Sequence, residues 1–95
     1  MDILQKKEGN NGSFFVQINN KTVAKMTYTL ENPSIMIIDH TEVDLSLRGQ
    51  NIAMELINKA VSFAREHSLK IKPVCQYVHS VFMKHPEDYK NIIYT

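Results

Sequence analysis

The chain has one cysteine, Cys75, so no internal disulfide can form. A lone thiol suits a reducing compartment. An excess of one charge sign is also missing. The formal net charge is +1, and no basic stripe with interleaved aromatics is present, which argues against a dedicated nucleic-acid binder. No apolar run approaches the roughly 20 residues that cross a bilayer, so no membrane partner is expected. Met1 to Asn10 is polar and mixed in charge, without the apolar core of a secretion signal. A cytoplasmic protein is the simplest reading. The four histidines and the single cysteine lack zinc-ligand spacing, so no metal is expected.

What is present describes an ordinary folded domain. Apolar residues make up 43% of the chain and charged residues 22%, a balance that argues against disorder. Ninety-five residues leave room for one core only, so a single domain over 1–95 is expected, monomeric or weakly dimeric. Residues 1–12 read as a frayed or edge segment.

Phe14 to Ile18 and Lys21 to Leu30 are strands by residue type. The two residues between them, Asn19-Asn20, predict a tight hairpin turn, because Asn tolerates positive φ. Glu31-Asn32-Pro33-Ser34 breaks the second strand. A third strand is expected over Ile35–Val43. Regular alternation puts Met36, Ile38, His40 and Glu42 on one face and Ile35, Ile37, Asp39, Thr41 and Val43 on the other. Apolar residues on both faces of its first half predict cover on both sides. Helical spacing of Ala53, Leu56, Ile57, Ala60 and Ala64 predicts a long helix from about Gln50 to His67. Leu69 to Val74 reads as a fourth strand. A short helix is expected over Gln76–Lys84, then a turn of helix started by Pro86.

The expected class is α+β: an antiparallel three-strand meander, a crossover helix, a fourth strand parallel to the third, and a short C-terminal helix. Crossovers of this kind are right-handed in nearly all cases. They bring the end of the third strand, the start of the long helix and the end of the fourth strand to one edge, where α/β sheets tend to bind ligands.

Arg48-Gly49-Gln50 leads into the long helix at that edge. A helix N-terminus leaves backbone N–H groups unpaired and partially positive, which suits phosphate oxygens. Gly49 lets a ligand approach the backbone, and Arg48 adds a fixed charge. The segment Leu47 to Ala53 resembles the pyrophosphate loop of the GNAT acetyltransferase superfamily, Arg/Gln-x-x-Gly-x-Gly/Ala. Arg48, Asn51 and Ala53 take the marked positions, with Asn51 where the pattern has Gly. After Gly, Asn is the residue that best tolerates unusual backbone angles. His40-Thr41-Glu42-Val43, Lys70-Ile71-Lys72-Pro73-Val74-Cys75 and His85-Pro86-Glu87 are similar to segments of a small, truncated subgroup of that superfamily. The resemblance spans about residues 14–89.

The resemblance implies a GNAT-like fold and acetyl-coenzyme A as cofactor. The cofactor-binding residues it points to are Val43, Leu45, Arg48, Gly49, Gln50, Asn51, Ile52 and Ala53. Pantetheine would lie where the third and fourth strands splay, near the backbone of Val43 and Leu45. Transfer of the acetyl group to an amine acceptor is the activity implied. A coenzyme-A-binding module without catalysis is the alternative.

Three side chains are candidates for the chemistry. Cys75 ends the fourth strand and precedes a helix, a position where a thiolate is favoured; a small buried hydrophobe is its plainer role. His40 and Glu42, two residues apart, form a pair able to relay a proton, against a strand histidine that only packs locally. His79, one helical turn after Cys75, is more simply a solvated histidine. Tyr77, Phe82, Val81 and Met54 read as packing residues.

Overall fold

The computed structural model describes residues 2–94. Its element order is β1 (Leu4–Glu8), β2 (Asn11–Ile18), β3 (Lys21–Glu31), β4 (Ile35–Val43), a 3₁₀ turn (Leu45–Leu47), α1 (Ile52–Glu66), β5 (Lys70–Pro73), α2 (Gln76–Lys84) and α3 (Pro86–Tyr89). The strands form one sheet in sequence order, with β1 to β4 antiparallel and β5 parallel to β4. The α+β class, the crossover helix and the parallel strand agree with the sequence reading. The edge segment expected within 1–12 holds β1, so the meander has a fourth antiparallel strand.

Local signals explain most boundaries. Asn19 and Asn20 both take positive φ, 53° and 65°, the pair of angles that a two-residue I′ turn requires. Ser68, at φ 57°, ends α1, and Leu69 N–H returns to Ala64 O at 2.8 Å, which satisfies a carbonyl that the helix leaves open. α1 begins at Ile52 rather than Gln50, because Asn51 is in the left-handed region and cannot continue a right-handed helix.

One core lies between the sheet and the helices. Phe14, Val16, Met26, Tyr28, Met36, Ile38 and Ile71 meet Leu56, Ile57, Ala60 and Ala64 of α1, with Val78 and Phe82 of α2 joining the same cluster. Leu56 and Ile57 are fully buried, and each such side chain contributes about 1.5–3 kcal/mol. Tyr28 lies over Gly12, where any side chain would occupy the space of its ring. The opposite face of the sheet is open at Lys25, His40, Glu42 and Lys72. The cover on both sides of the first half of β4, expected from its sequence, is partial among the described residues: Ile35 is buried, whereas Ile37 is half-buried beside its strand neighbours Thr29 and Lys72.

The alternation expected along β4 also fails midway. Tyr28 pairs with Ile38, but Thr27 pairs with His40, so Asp39 is an extra residue in the strand. This β-bulge reverses the parity beyond it. Thr41 and Val43 oppose the buried Met26 and Ala24 and so join Met36 and Ile38 on the helix side. His40 and Glu42 pair with Thr27 and Lys25 on the open side.

The chain end reinforces the far edge of the sheet. Ile71 N–H bonds to Ile92 O and Tyr94 N–H to Ile71 O, each at 2.7 Å, so the segment after α3 runs beside β5. Among the described residues no helix is long and apolar enough to cross a membrane.

Candidate active site

β4 and β5 diverge after four paired positions. Their ladder runs from Ile35↔Lys70 to Ile38↔Pro73, and the last link beyond it is Cys75 N–H to Ile38 O at 2.8 Å. From Asp39 onward β4 has β3 on one edge and, among the described residues, no strand on the other. Asp44 N–H points to β3, bonding Val23 O at 2.8 Å. By the alternation of an antiparallel ladder, the backbone groups of Val43 and Thr41 face away from β3, into the gap.

After β4 the chain turns through a short loop into α1. Asp44 caps the 3₁₀ turn: its carboxylate accepts from Ser46 N–H at 3.1 Å and from the Ser46 hydroxyl at 3.0 Å. Those two bonds, the backbone one first, hold the Asp44 carboxyl below the ordinary carboxylate range. Gly49 then takes φ +88° and Asn51 takes φ 63°. The first bond of α1 is Glu55 N–H to Asn51 O at 3.2 Å, which leaves the N–H groups of Ile52, Ala53 and Met54 free at the helix start. Asn51 makes no side-chain cap. Its value there is its backbone conformation, the property that the loop pattern otherwise obtains from Gly.

A groove of about 410 Å³ opens against these groups, lined by Val43, Arg48, Gly49, Asn51, Ile52 and Ala53 together with Leu47, Met54 and Tyr77. Six of the eight residues expected to bind cofactor thus meet in one place. Leu45 and Gln50 do not line it; Leu45 is 74% exposed on the 3₁₀ turn. Tyr77 and Met54, read from sequence as packing residues, are groove residues. Tyr77, in the first turn of α2, is 41% exposed and lines the groove with Ala53 and Met54 at the start of α1. An aromatic at the start of the second helix carries no local sign of that placement.

The three candidates for chemistry are divided by β4. Cys75 is buried, and its thiol donates to Thr41 Oγ1 at 3.4 Å. His79, one turn on, is exposed and not the thiol's partner. His40 Nε2 lies 3.6 Å from Glu42 Oε2, both side chains largely exposed on the open face. The pair expected from sequence is formed, but on the opposite side of the strand from Met36 and Ile38, with which alternation groups it. Thr41 was missed because alternation without the bulge points it the other way.

A strand gap, a left-handed loop and a free helix start facing one groove define a cleft suited to a phosphate-bearing, extended ligand. The sequence profile of the GCN5-related N-acetyl-transferases matches residues 13–92, and the chain belongs to that family. A GCN5-like protein of Staphylococcus aureus, solved by NMR, is 29% identical; the match covers 98% of this chain and 87% of that one, with a TM-score of 0.71. The ribosomal-protein-alanine N-acetyltransferase of Brucella melitensis shares the fold at 18% identity over 81% of this chain and 62% of its own, with a TM-score of 0.63. An aminoglycoside N-acetyltransferase solved in complex with CoA does so at 10% identity, over 87% and 88% of the two chains, with a TM-score of 0.67. The chain spans only 62% of the Brucella enzyme and 50% of Tetrahymena GCN5. No curated protein matches the sequence.

Proposed function

We propose that this protein binds acetyl-coenzyme A in the α1 groove and transfers the acetyl group to an amine. The observation that carries the proposal is the convergence of Gly49, Asn51 and the free N–H groups of Ile52 to Met54 on one groove that Val43 of β4 also lines. The residues fit the cofactor. Arg48 and the helix-start N–H groups would hold the pyrophosphate, and the backbone of Thr41 and Val43 would hold the pantetheine. When bound, the cofactor supplies the acetyl group as an activated thioester.

An amine arriving from the open face meets His40 and Glu42 first. His40 is the base for its proton, and Glu42, 3.6 Å away, stabilises the imidazolium that forms. The position of Cys75 where β4 and β5 part favours a covalent route, in which its sulfur would attack the thioester carbonyl, coenzyme A would leave as the thiol with the Cys75 proton, and the amine would then displace the Cys75 sulfur from the acetyl group.

Calorimetric titration with acetyl-coenzyme A tests the binding, and mass analysis of mixtures with candidate amines tests the transfer. Arg48→Ala is expected to weaken binding about tenfold, on the order of 1.4 kcal/mol, and to flatten its salt dependence. Absence of binding at millimolar cofactor would overturn the proposal. Binding without transfer to any amine, and without an adduct on Cys75, would make the protein a coenzyme-A-binding module.

A further inference from the structure

We propose that Thr27 is the positioning residue of this site, acting through Asp39. The proposal rests on the reading that the β4–β5 gap receives the thioester.

Everything that distinguishes the two sides of β4 depends on the bulge. A regular strand that keeps Met36 and Ile38 inward would turn His40 and Glu42 inward as well, and would turn Thr41 out to the open face. The extra residue Asp39 prevents this. It lets Thr41 reach Cys75 on the inner side while His40 and Glu42 pair on the outer side.

A bulge has to be held at one position, because the same strand could accommodate the extra residue one place earlier or later. Thr27 is the β3 residue opposite the bulge, and its hydroxyl donates to Asp39 Oδ1 at 2.6 Å. Hydrogen bonds to a carboxylate are short and about twice as strong as neutral ones. This one links the extra residue to the strand it would otherwise slip along. Asp39 is exposed and Thr27 half-buried, so neither contributes to the core. Their contact instead sets the register of the four residues that follow.

The loop from Arg48 to Met54 lies beyond the bulge and is held by its own turn. Loss of the Thr27 hydroxyl therefore disturbs the reacting end and leaves the phosphate end alone. In Thr27→Val, kcat with a competent amine is expected to fall about tenfold, near 1.4 kcal/mol of barrier. The affinity for 3′,5′-ADP, which carries phosphates without pantetheine, is expected to stay within about twofold, while KM for acetyl-coenzyme A rises because the backbone of Thr41 and Val43 shifts with the register. The alkylation rate of Cys75 is expected to rise several-fold as Thr41 leaves the thiol. Thr27→Ser, which keeps the hydroxyl, should restore each value, and Asp39→Ala should reproduce Thr27→Val.

Wild-type kcat and alkylation in Thr27→Val would overturn the assignment. So would a parallel loss of kcat, KM and 3′,5′-ADP affinity that Thr27→Ser does not rescue, because that pattern is general destabilisation. If the wild-type protein transfers no acetyl group, the proposed function fails by itself and alkylation decides this inference: a faster rate in Thr27→Val supports it and an unchanged rate overturns it.

Discussion

The Cys75 thiol donates to the Thr41 hydroxyl at 3.4 Å, across the line where β4 and β5 part. The two residues are 34 positions apart in the chain. They meet because the parallel ladder ends just before them and because the bulge at Asp39 turns Thr41 inward.

Burial of Cys75 sets its reactivity. A thiol at 8% exposure reacts only when its surroundings open, so alkylation is expected to be slower than that of a small-molecule thiol at the same pH. Bound coenzyme A should slow it further. Timed alkylation followed by mass analysis measures both rates. Acceleration by cofactor would contradict this placement of the thiol. Thr41→Val removes the thiol's acceptor and should speed alkylation, with a stability change of about 1 kcal/mol or less.

Asn51 is at φ 63° without a side-chain cap, so its role is conformational. Asn51→Gly is expected to keep cofactor affinity or improve it, since Gly reaches the same angles without a Cβ. Asn51→Val should lose about 1–2 kcal/mol, because a β-branched residue is strained in the left-handed region. In a domain of this size that is a fall in Tm of roughly 4–16 °C. Thermal melts of the two variants decide it; equal melting temperatures would show that the loop adopts another conformation in solution.

Gly12→Ala addresses the core. The added methyl would overlap the Tyr28 ring, which stacks near Phe14 and whose hydroxyl accepts from Gln5 at 2.8 Å. Overpacking of this kind costs about 1–3 kcal/mol. Pairing Gly12→Ala with Tyr28→Phe tests the cause. Without the hydroxyl the ring can shift, so the double variant should lose less than the sum of the two single losses.

Asp44 gives a pH dependence with a definite sign. Its folded carboxyl titrates below the ordinary range because it accepts from Ser46. A depressed folded pKa contributes stability that is complete above the unfolded value of about 3.9 and is lost as pH falls through the lower folded value. Asp44→Asn keeps an acceptor but does not titrate. The wild-type protein should therefore lose stability relative to Asp44→Asn on acidification from pH 5 toward pH 2, with no change in the difference between pH 5 and 7. Denaturation curves across that range measure it, and a constant difference down to pH 2 would rule out the Ser46 contacts as the cause.

Sequence alone determined the features that depend on neighbours along the chain. Asn19-Asn20 specifies its turn through the backbone angles that Asn tolerates. The apolar spacing from Ile52 to Ala64 specifies a helix and its buried face. Arg48 to Ala53 marks the loop proposed to hold the pyrophosphate, because a helix start, a glycine and a cation are all local. Tertiary structure decided which side of β4 each candidate residue occupies. Alternation is counted within one strand, whereas the bulge at Asp39 belongs to the pairing of β4 with β3, where Thr27 meets His40 and Tyr28 meets Ile38, and one extra residue exchanges the two faces. Pairing with β2 likewise made Leu4–Glu8 a strand although all five residues are exposed, since its hydrogen bonds, not its side chains, hold it there. Tyr77 entered the groove for a similar reason: its neighbours Ala53 and Met54 belong to a different helix, and no period within α2 encodes them.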